Sequence, residues 1–339
     1  MIRAGYVWAS ALDGVTDADA LMLNQINLAF GLVKDGVLSF RVRDEKAFTD
    51  AMARIRTVNP DMKITLSVGG WGAGGFSDMA KTEEGRRAFA ASYLEAVIRY
   101  GLDGIDVDWE YPTFDWAGID ADPADRENFT LLLQALRDVL PDKLLTIAVG
   151  CGAVIAAGMD LPAIEPILDY VSLMTYDLRG IGSPAGPHTG LYPRTGSEGQ
   201  DDGCGDLSVK LYEQCGIPRS KQILGAAFYS RIWDGVPAGE MHGLGEKGTT
   251  RESGGFGPNY GKLAAEYIDK NGFMLYRDNG APYLYKEETG TFISFDDPVS
   301  VAEKVRYCKE NGLAGIMYWE HSCDPTHALL TAIAQADKE

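Results

Sequence analysis

Short runs rich in β-branched and aromatic residues alternate with amphipathic segments along the whole 339-residue chain, and this alternation narrows the folds open to it more than any other feature. Strands are predicted at Ile2 to Trp8, Gln25 to Phe30, Lys63 to Val68, Gly104 to Trp109, Leu144 to Val149, Tyr170 to Tyr176, Gln222 to Phe228 and Leu313 to Trp319. Between them Phe89, Tyr93, Ala96, Val97 and Tyr100 recur at helical spacing before a stop at Gly101, and Phe129, Leu132, Leu133, Leu136 and Leu140 do so before Pro141. A last helix takes Asp297 as N-cap and Pro298 in its first turn, runs through Val301, Val305 and Cys308, and stops at Gly312. Strand then helix, eight times over, predicts an α/β protein built as a closed (β/α)8 TIM barrel. The connection after Phe228 is far longer than the roughly 2–6 residues usual for a βα loop. An α+β insertion is therefore expected at 234–295, between the seventh and eighth strands, with the barrel formed by 1–233 and 296–339. Within the insertion Tyr260 to Asn271 reads as a helix, and Phe273 to Tyr276, Tyr283 to Tyr285 and Phe292 to Phe295 read as short strands.

One of these strands carries the chemistry. Acids stand at every second position of Asp106-Val107-Asp108-Trp109-Glu110, so in a strand all three project to one side, roughly 6.6 Å apart. Ile105, Val107 and Trp109 share the opposite face and suit burial against helices. Burying ionised carboxylates costs several kcal/mol each unless they are paired, hydrogen-bonded or protonated, which argues for function over structure. Glu110 is the natural general acid, because apolar neighbours and adjacent like charges raise a carboxyl pKa. Asp106 and Asp108 cannot easily both ionise, and should titrate as a coupled pair sharing a proton. A divalent-metal site is the competing reading, since carboxylates are hard oxygen ligands. Linear strand spacing suits it poorly, so neither a metal nor another cofactor is expected.

Composition removes several classes. A net charge of −18 opposes a nucleic-acid partner, which needs clustered Lys and Arg. Apolar runs such as Leu144 to Val149 fall far short of the roughly 20 residues that span a bilayer. Four histidines without H-E-x-x-H spacing give a zinc hydrolase little support. Five cysteines without metal-ligand spacing read as free thiols, favouring a reducing compartment. The amino terminus enters a strand at once, so a cytoplasmic protein is expected, or a secreted one whose leader has been removed.

In such a barrel catalytic groups come from the carboxyl ends of several strands. Here those ends supply Tyr6 and Trp8, Ser67 and Trp71, Glu110, Tyr176 and Asp177, Tyr229 and Arg231, and Trp319. The flat faces of Trp8, Trp71, Tyr176, Tyr229 and Trp319 would suit pyranose rings, which suggests a carbohydrate ligand.

The stretch Asp103-Gly104-Ile105-Asp106-Val107-Asp108-Trp109-Glu110-Tyr111-Pro112 resembles the signature of family 18 glycoside hydrolases, the chitinases and their relatives. Ser67-Val68-Gly69-Gly70, Met174-Thr175-Tyr176-Asp177 and Gly315-Ile316-Met317-Tyr318-Trp319-Glu320 are similar to the family's motifs on the third, sixth and eighth strands. The segment after Phe228 resembles the α+β insertion of the chitinase branch. The resemblance implies that Glu110 protonates the glycosidic oxygen and later activates water, while the substrate's own 2-acetamido oxygen attacks the anomeric carbon to give an oxazolinium ion. It implies that Asp108 orients the acetamido N–H, with Tyr176 on the other side and Trp319 under the distorted sugar. Asp106 then holds the negative end of the pair, hydrogen-bonded to Tyr6 and Ser67, and Asp177 and Arg231 contact substrate hydroxyls. Tyr229-Ser230-Arg231 departs from the family, which usually has Gly at the second position.

The resemblance thus implies a retaining hydrolase of β-1,4-linked N-acetylglucosamine, acting on chitin or its oligosaccharides; a monomer is expected. Without a tandem binding module in the sequence, soluble or loosely ordered chains are the expected substrates. Two alternatives share the framework. An endo-β-N-acetylglucosaminidase acting on the N-glycan chitobiose core would need an open groove, which the bulky insertion disfavours. A non-catalytic chitin-binding lectin would not need the acid, which is in place with its partners.

Overall fold

A computed structural model of the protein describes residues 1–180, 182–197, 203–250 and 255–339. Its strands, in chain order, are β1 (Ile2–Trp8), β2 (Gln25–Lys34), β3 (Val37–Ser39), β4 (Lys63–Gly69), β5 (Gly104–Asp108), β6 (Leu144–Gly150), β7 (Tyr170–Met174) and β8 (Gln222–Ala227). They continue as β9 (Tyr229–Asp234), β10 (Thr249–Thr250), β11 (Phe256–Asn259), β12 (Met274–Asp278), β13 (Ala281–Lys286), β14 (Thr291–Ser294) and β15 (Gly315–Trp319). The parallel strands run in the order β1-β15-β8-β7-β6-β5-β4-β2, and β1 also pairs with β2, so the sheet closes on itself. This is the eight-stranded barrel that the alternation predicts.

The pleat divides the apolar residues into two sets. Ile105, Val107 and Trp109 face outward into the large core between barrel and helices, where Trp109 stacks on Phe76 at 5.2 Å and meets the edge of Phe129 at 5.5 Å. Inside the barrel a smaller cluster joins Ala4, Tyr6, Ala148, Met174, Ile223 and Met317. Asp106 and Asp108 share that interior with it, and both are buried. Gly69, at φ 122°, lets the end of β4 close on β5, for a Cβ there would lie 2.0 Å from the Asp108 carbonyl oxygen.

The helices begin and end where the sequence sets their caps. Thr82 caps the Glu83–Tyr100 helix through its side chain, and Gly101 closes it at φ 61°. Asp297 accepts from the amides of Val299 and Ser300 at the start of the Pro298–Glu310 helix, while the Ser300 hydroxyl receives the Asp297 amide.

A second, antiparallel sheet of order β10-β9-β14-β13-β12, with β11 on β9, stands between β8 and β15 in the chain. It packs Trp233, Val236, Tyr283, Tyr285 and Phe292 into a core of its own. Its first strand starts at Tyr229, ahead of the expected insertion boundary at 234, because the chain leaves the barrel after Phe228 and enters the new sheet directly. Residues 251–254 of that insertion lie outside the described residues. The helix expected over Tyr260 to Asn271 is shorter: one turn, Tyr260–Lys262, passes into a π-turn, Leu263–Tyr267. There Lys270 and Asn271 side chains take the carbonyls of Ala264, Ala265 and Glu266, which further turns would have used. Ser230 is accommodated by Gly257 on the neighbouring strand, where a Cβ would lie 2.4 Å from the Ser230 hydroxyl, and that hydroxyl donates to the Pro258 carbonyl at 2.6 Å. All five cysteines are free thiols. Among the described residues no helix is long and apolar enough to cross a membrane.

Candidate active site

Register places the acids. Asp106 of β5 stands opposite Ser67 of β4 on one side and Thr146 of β6 on the other. Its Oδ2 accepts from the Tyr6 hydroxyl at 2.8 Å and from Ser67 Oγ at 2.6 Å, and its Oδ1 from Thr146 Oγ1 at 2.7 Å. Burial pushes the Asp106 carboxyl up, and these three hydroxyl donors pull it back toward the charged form.

Asp108 has no such cushion. Burial first, then the charges of Glu110 and Asp106, hold its pKa well above the usual carboxylate range. Its Oδ1 is buried and has no hydrogen-bond partner among the described residues. Of the pair, Asp106 is the better site for the negative charge and Asp108 for the proton. Glu110, just beyond the strand and only partly buried, has its pKa pushed up to about 7, chiefly by burial, with the Asp177 charge adding and the Tyr111 hydroxyl opposing.

After Met174 the chain leaves the ladder and presents Tyr176 and Asp177, the latter at φ 55°. Burial and the charges of Asp108, Glu110 and Asp177 raise the Tyr176 pKa well above its ordinary value, so the phenol stays a donor. The edge of its ring meets Tyr229 at 6.1 Å. Asp177 Oδ1 accepts from Arg231 Nε at 2.7 Å and lies 3.6 Å from His188 Nδ1. Burial opposes ionisation of Asp177, but His188 and Arg231 outweigh it and hold the carboxyl below the usual range. The Arg231 guanidinium also lies over the Phe256 ring, 3.7 Å from its centroid.

The aromatic residues form groups rather than one continuous lining. Trp319 stacks on Phe30 at 5.4 Å and meets Trp8 at 5.3 Å and Tyr6 at 5.7 Å, a contact set created by the adjacency of β15, β1 and β2. Trp71, 65% exposed, lies instead against Tyr111 at 6.5 Å, which in turn meets Trp116 at 6.2 Å. Trp8 is 40% exposed, so each of these two groups leaves aromatic surface open.

Several members of this constellation were not among the sequence candidates. Thr146 had a signal, a lone hydroxyl in the apolar run Leu144 to Val149, but only register puts it opposite Asp106. Phe30, Tyr111 and His188 had none in periodicity, since each stands where a regular element gives way to loop or irregular strand. Among the described residues no group of three His, Cys, Asp or Glu side chains is arranged to hold a metal ion.

A buried carboxyl supported by three hydroxyls, a neighbouring carboxyl whose protonated form burial favours and a third acid with a pKa near neutrality can deliver a proton and steady a positive centre beside it. Comparison with known proteins fits that chemistry. The chain is 36% identical over 305 residues to chitinase A1 of Niallia circulans, covering 81% of this chain and 42% of that protein. It is 30% identical over 329 residues to chitotriosidase-1 of Mus musculus, covering 89% of this chain and 67% of the relative. The chain thus spans well under half of the bacterial relative and about two thirds of the mouse one. A glycoside hydrolase family 18 N-acetylglucosaminidase from Paenibacillus barengoltzii superposes with a TM-score of 0.91 at 43% identity, covering 99% of both chains. Residues 3–324 match the profile of glycosyl hydrolases family 18, and the chain belongs to that family.

Proposed function

We propose that this chain is a chitinase-type glycosidase that hydrolyses β-1,4-linked N-acetylglucosamine with retention, using the substrate's acetamido group as nucleophile. The observation that carries the reading is Asp108, a carboxyl buried beside two other acids, whose protonated form burial and those charges favour and one of whose oxygens has no hydrogen-bond partner among the described residues. That oxygen is open to a ligand's hydrogen bond, and an acetamido N–H beside the scissile bond is a donor of the right kind. Glu110, protonated below about pH 7, gives its proton to the glycosidic oxygen as that bond breaks. The acetamido oxygen closes on the anomeric carbon, forming the oxazolinium ion, and Tyr176 supports the same group as a hydrogen-bond donor. Glu110, now a carboxylate, takes a proton from the water that opens the ring. Trp319, with Trp8 beside it, offers the sugar an apolar floor, while Asp177, Arg231 and Tyr229 contact its hydroxyls.

The names of the relatives support this sugar class. The end-to-end similarity to the P. barengoltzii N-acetylglucosaminidase favours a second reading in which single N-acetylglucosamine units are released. Mass analysis of products from chitotetraose separates the two: monosaccharide from the first turnover supports release of single units, disaccharide supports chitinase action. A high-mannose glycopeptide in the same assay tests for N-glycan cleavage.

Two results are expected. Fully de-acetylated glucosamine oligomers should be cleaved at least about a thousandfold more slowly than acetylated ones, since the nucleophile is missing; equal rates would remove the proposal. Turnover should also fall as pH rises through about 7, where Glu110 loses the proton it must donate. A pH profile of kcat flat from pH 5 to 9 would exclude Glu110 as the acid.

A further inference from the structure

A lysine and an aspartate lie almost wholly out of solvent beneath the loops that follow β7 and β8. Lys304 is 2% exposed and Asp296 1%, and Lys304 Nζ donates to Asp296 Oδ2 at 2.7 Å. Withdrawing both charges from water is costly, and packed hydrophobic side chains of similar volume often hold a core at least as well. The bonds around the pair suggest what the charges are for. Asp296 Oδ2 also accepts from Thr189 Oγ1 at 2.9 Å and from the Ala227 amide at 3.0 Å, and Oδ1 accepts from Ser300 Oγ at 2.7 Å. Lys304 Nζ donates a second bond to Thr189 Oγ1 at 2.6 Å.

Thr189 is where this network meets the active site. Its hydroxyl stands 3.1 Å from the Thr175 carbonyl, one residue before Tyr176, so its single proton is shared between that carbonyl and Asp296. The preceding residue continues the seam: the Leu178 amide donates to the His188 carbonyl at 3.0 Å, and His188 Nδ1 lies 3.4 Å from the Asp177 amide nitrogen. The His188 amide is itself tied to Ser294 Oγ at 2.8 Å. Residues 188 and 189 thus lie as a strap along 175–178, anchored from below. The Ala227 amide, bonded to the same Asp296, steadies the approach to Tyr229, whose ring meets Tyr176. Tyr176 and Asp177 need this support because β7 has ended at Met174, and Asp177 adopts a left-handed φ that a side chain disfavours.

We infer that the buried Lys304–Asp296 pair, acting through Thr189, is a positioning device that fixes Tyr176 and Asp177 for the reaction. The inference rests on the proposed role of Tyr176 and adds to it the residues that hold that side chain in place. Thr189 touches no reacting atom; it is a positioning residue.

The test compares Thr189→Val, which keeps the shape and removes the hydroxyl, with Thr189→Ser, which restores it. On chitotetraose Thr189→Val should lower kcat by about 10- to 100-fold with KM within about twofold, because a small misplacement near the chemistry costs rate more than binding. Thr189→Ser should return kcat to within about threefold of the parent. Full kcat in folded Thr189→Val, or a serine variant as impaired as the valine one, would overturn the inference. If Thr189→Val does not fold, Ser294→Ala, which removes the acceptor of the His188 amide, must show the same selective loss of kcat; parental kcat in folded Ser294→Ala would equally overturn it. Tyr176→Phe, assayed alongside, separates the two levels: parental turnover there defeats the reading of the site, whereas a damaged Tyr176→Phe beside an unimpaired Thr189→Val defeats the positioning role alone.

Discussion

Glu110→Gln should lose at least about a thousandfold in turnover while becoming more stable than the parent at pH 8. The loss follows from removing a group at the site whose pKa, about 7, allows it to donate a proton and then recover it at neutral pH. The gain follows from linkage. In the unfolded chain this carboxyl ionises near its ordinary value of 4.5, whereas in the folded protein burial delays ionisation to about 7. Between those values the folded state binds more proton than the unfolded one, so stability falls as pH rises, and the full penalty is present above about 7. Discounted for partial solvent access, it amounts to roughly 2–3 kcal/mol. Glutamine resembles the protonated acid and carries no such penalty, so the variant should melt several degrees higher at pH 8. At pH 4, where the parental carboxyl is mostly protonated in both states, the two should melt nearly together. Thermal denaturation at both pH values checks this. A difference independent of pH would show that Glu110 is not held in the proton-retaining environment described, and turnover within tenfold of the parent would show that it is not the acid.

The same residues show how far the sequence could be read and where it stopped. The barrel was legible because each strand is a compact apolar run bounded by breakers, and β4 and β6 begin at Lys63 and Leu144 as predicted. The alternation of Asp106, Asp108 and Glu110 was legible because a two-residue period needs no partner to interpret it. Tyr6 and Ser67 at Asp106 followed from the family resemblance and are hydrogen-bonded to it. Thr146 completes that set only through the pairing of β5 with β6, which is a property of register and not of any one segment. The strap of His188 and Thr189 lay beyond reach for a different reason: nothing periodic marks the chain after Asp177, and its partners Ser294, Asp296 and Lys304 come from more than 100 residues away along the chain. The strand that starts at Tyr229 was read as a barrel-strand end because its partner strand β14 arrives so much later.

Asp108→Asn should reduce kcat by about 10²- to 10³-fold and leave the fold intact. Asparagine has the shape of the protonated aspartic acid that burial and the adjacent carboxylates favour at this position, so the core meets no new charge and loses no volume. When positive charge grows on the sugar ring Asp108 can pass its proton to the Asp106 carboxylate and take up the negative charge itself, which a neutral amide cannot do; removal of one such preorganised group commonly costs this much. The effect should therefore fall on kcat more than on KM, since the bound substrate is neutral and the intermediate is not. The pH dependence offers a sharper discrimination. If Asp108 is already neutral in the resting enzyme, its replacement removes no charge near Glu110, and the alkaline fall in kcat stays near pH 7. If instead Asp108 were ionised at rest, losing its charge would ease the ionisation of Glu110 and move that fall to lower pH by about a unit or more. A displaced limb would contradict the proton assignment within the pair, and kcat within tenfold of the parent would contradict the role of Asp108 in stabilising the intermediate.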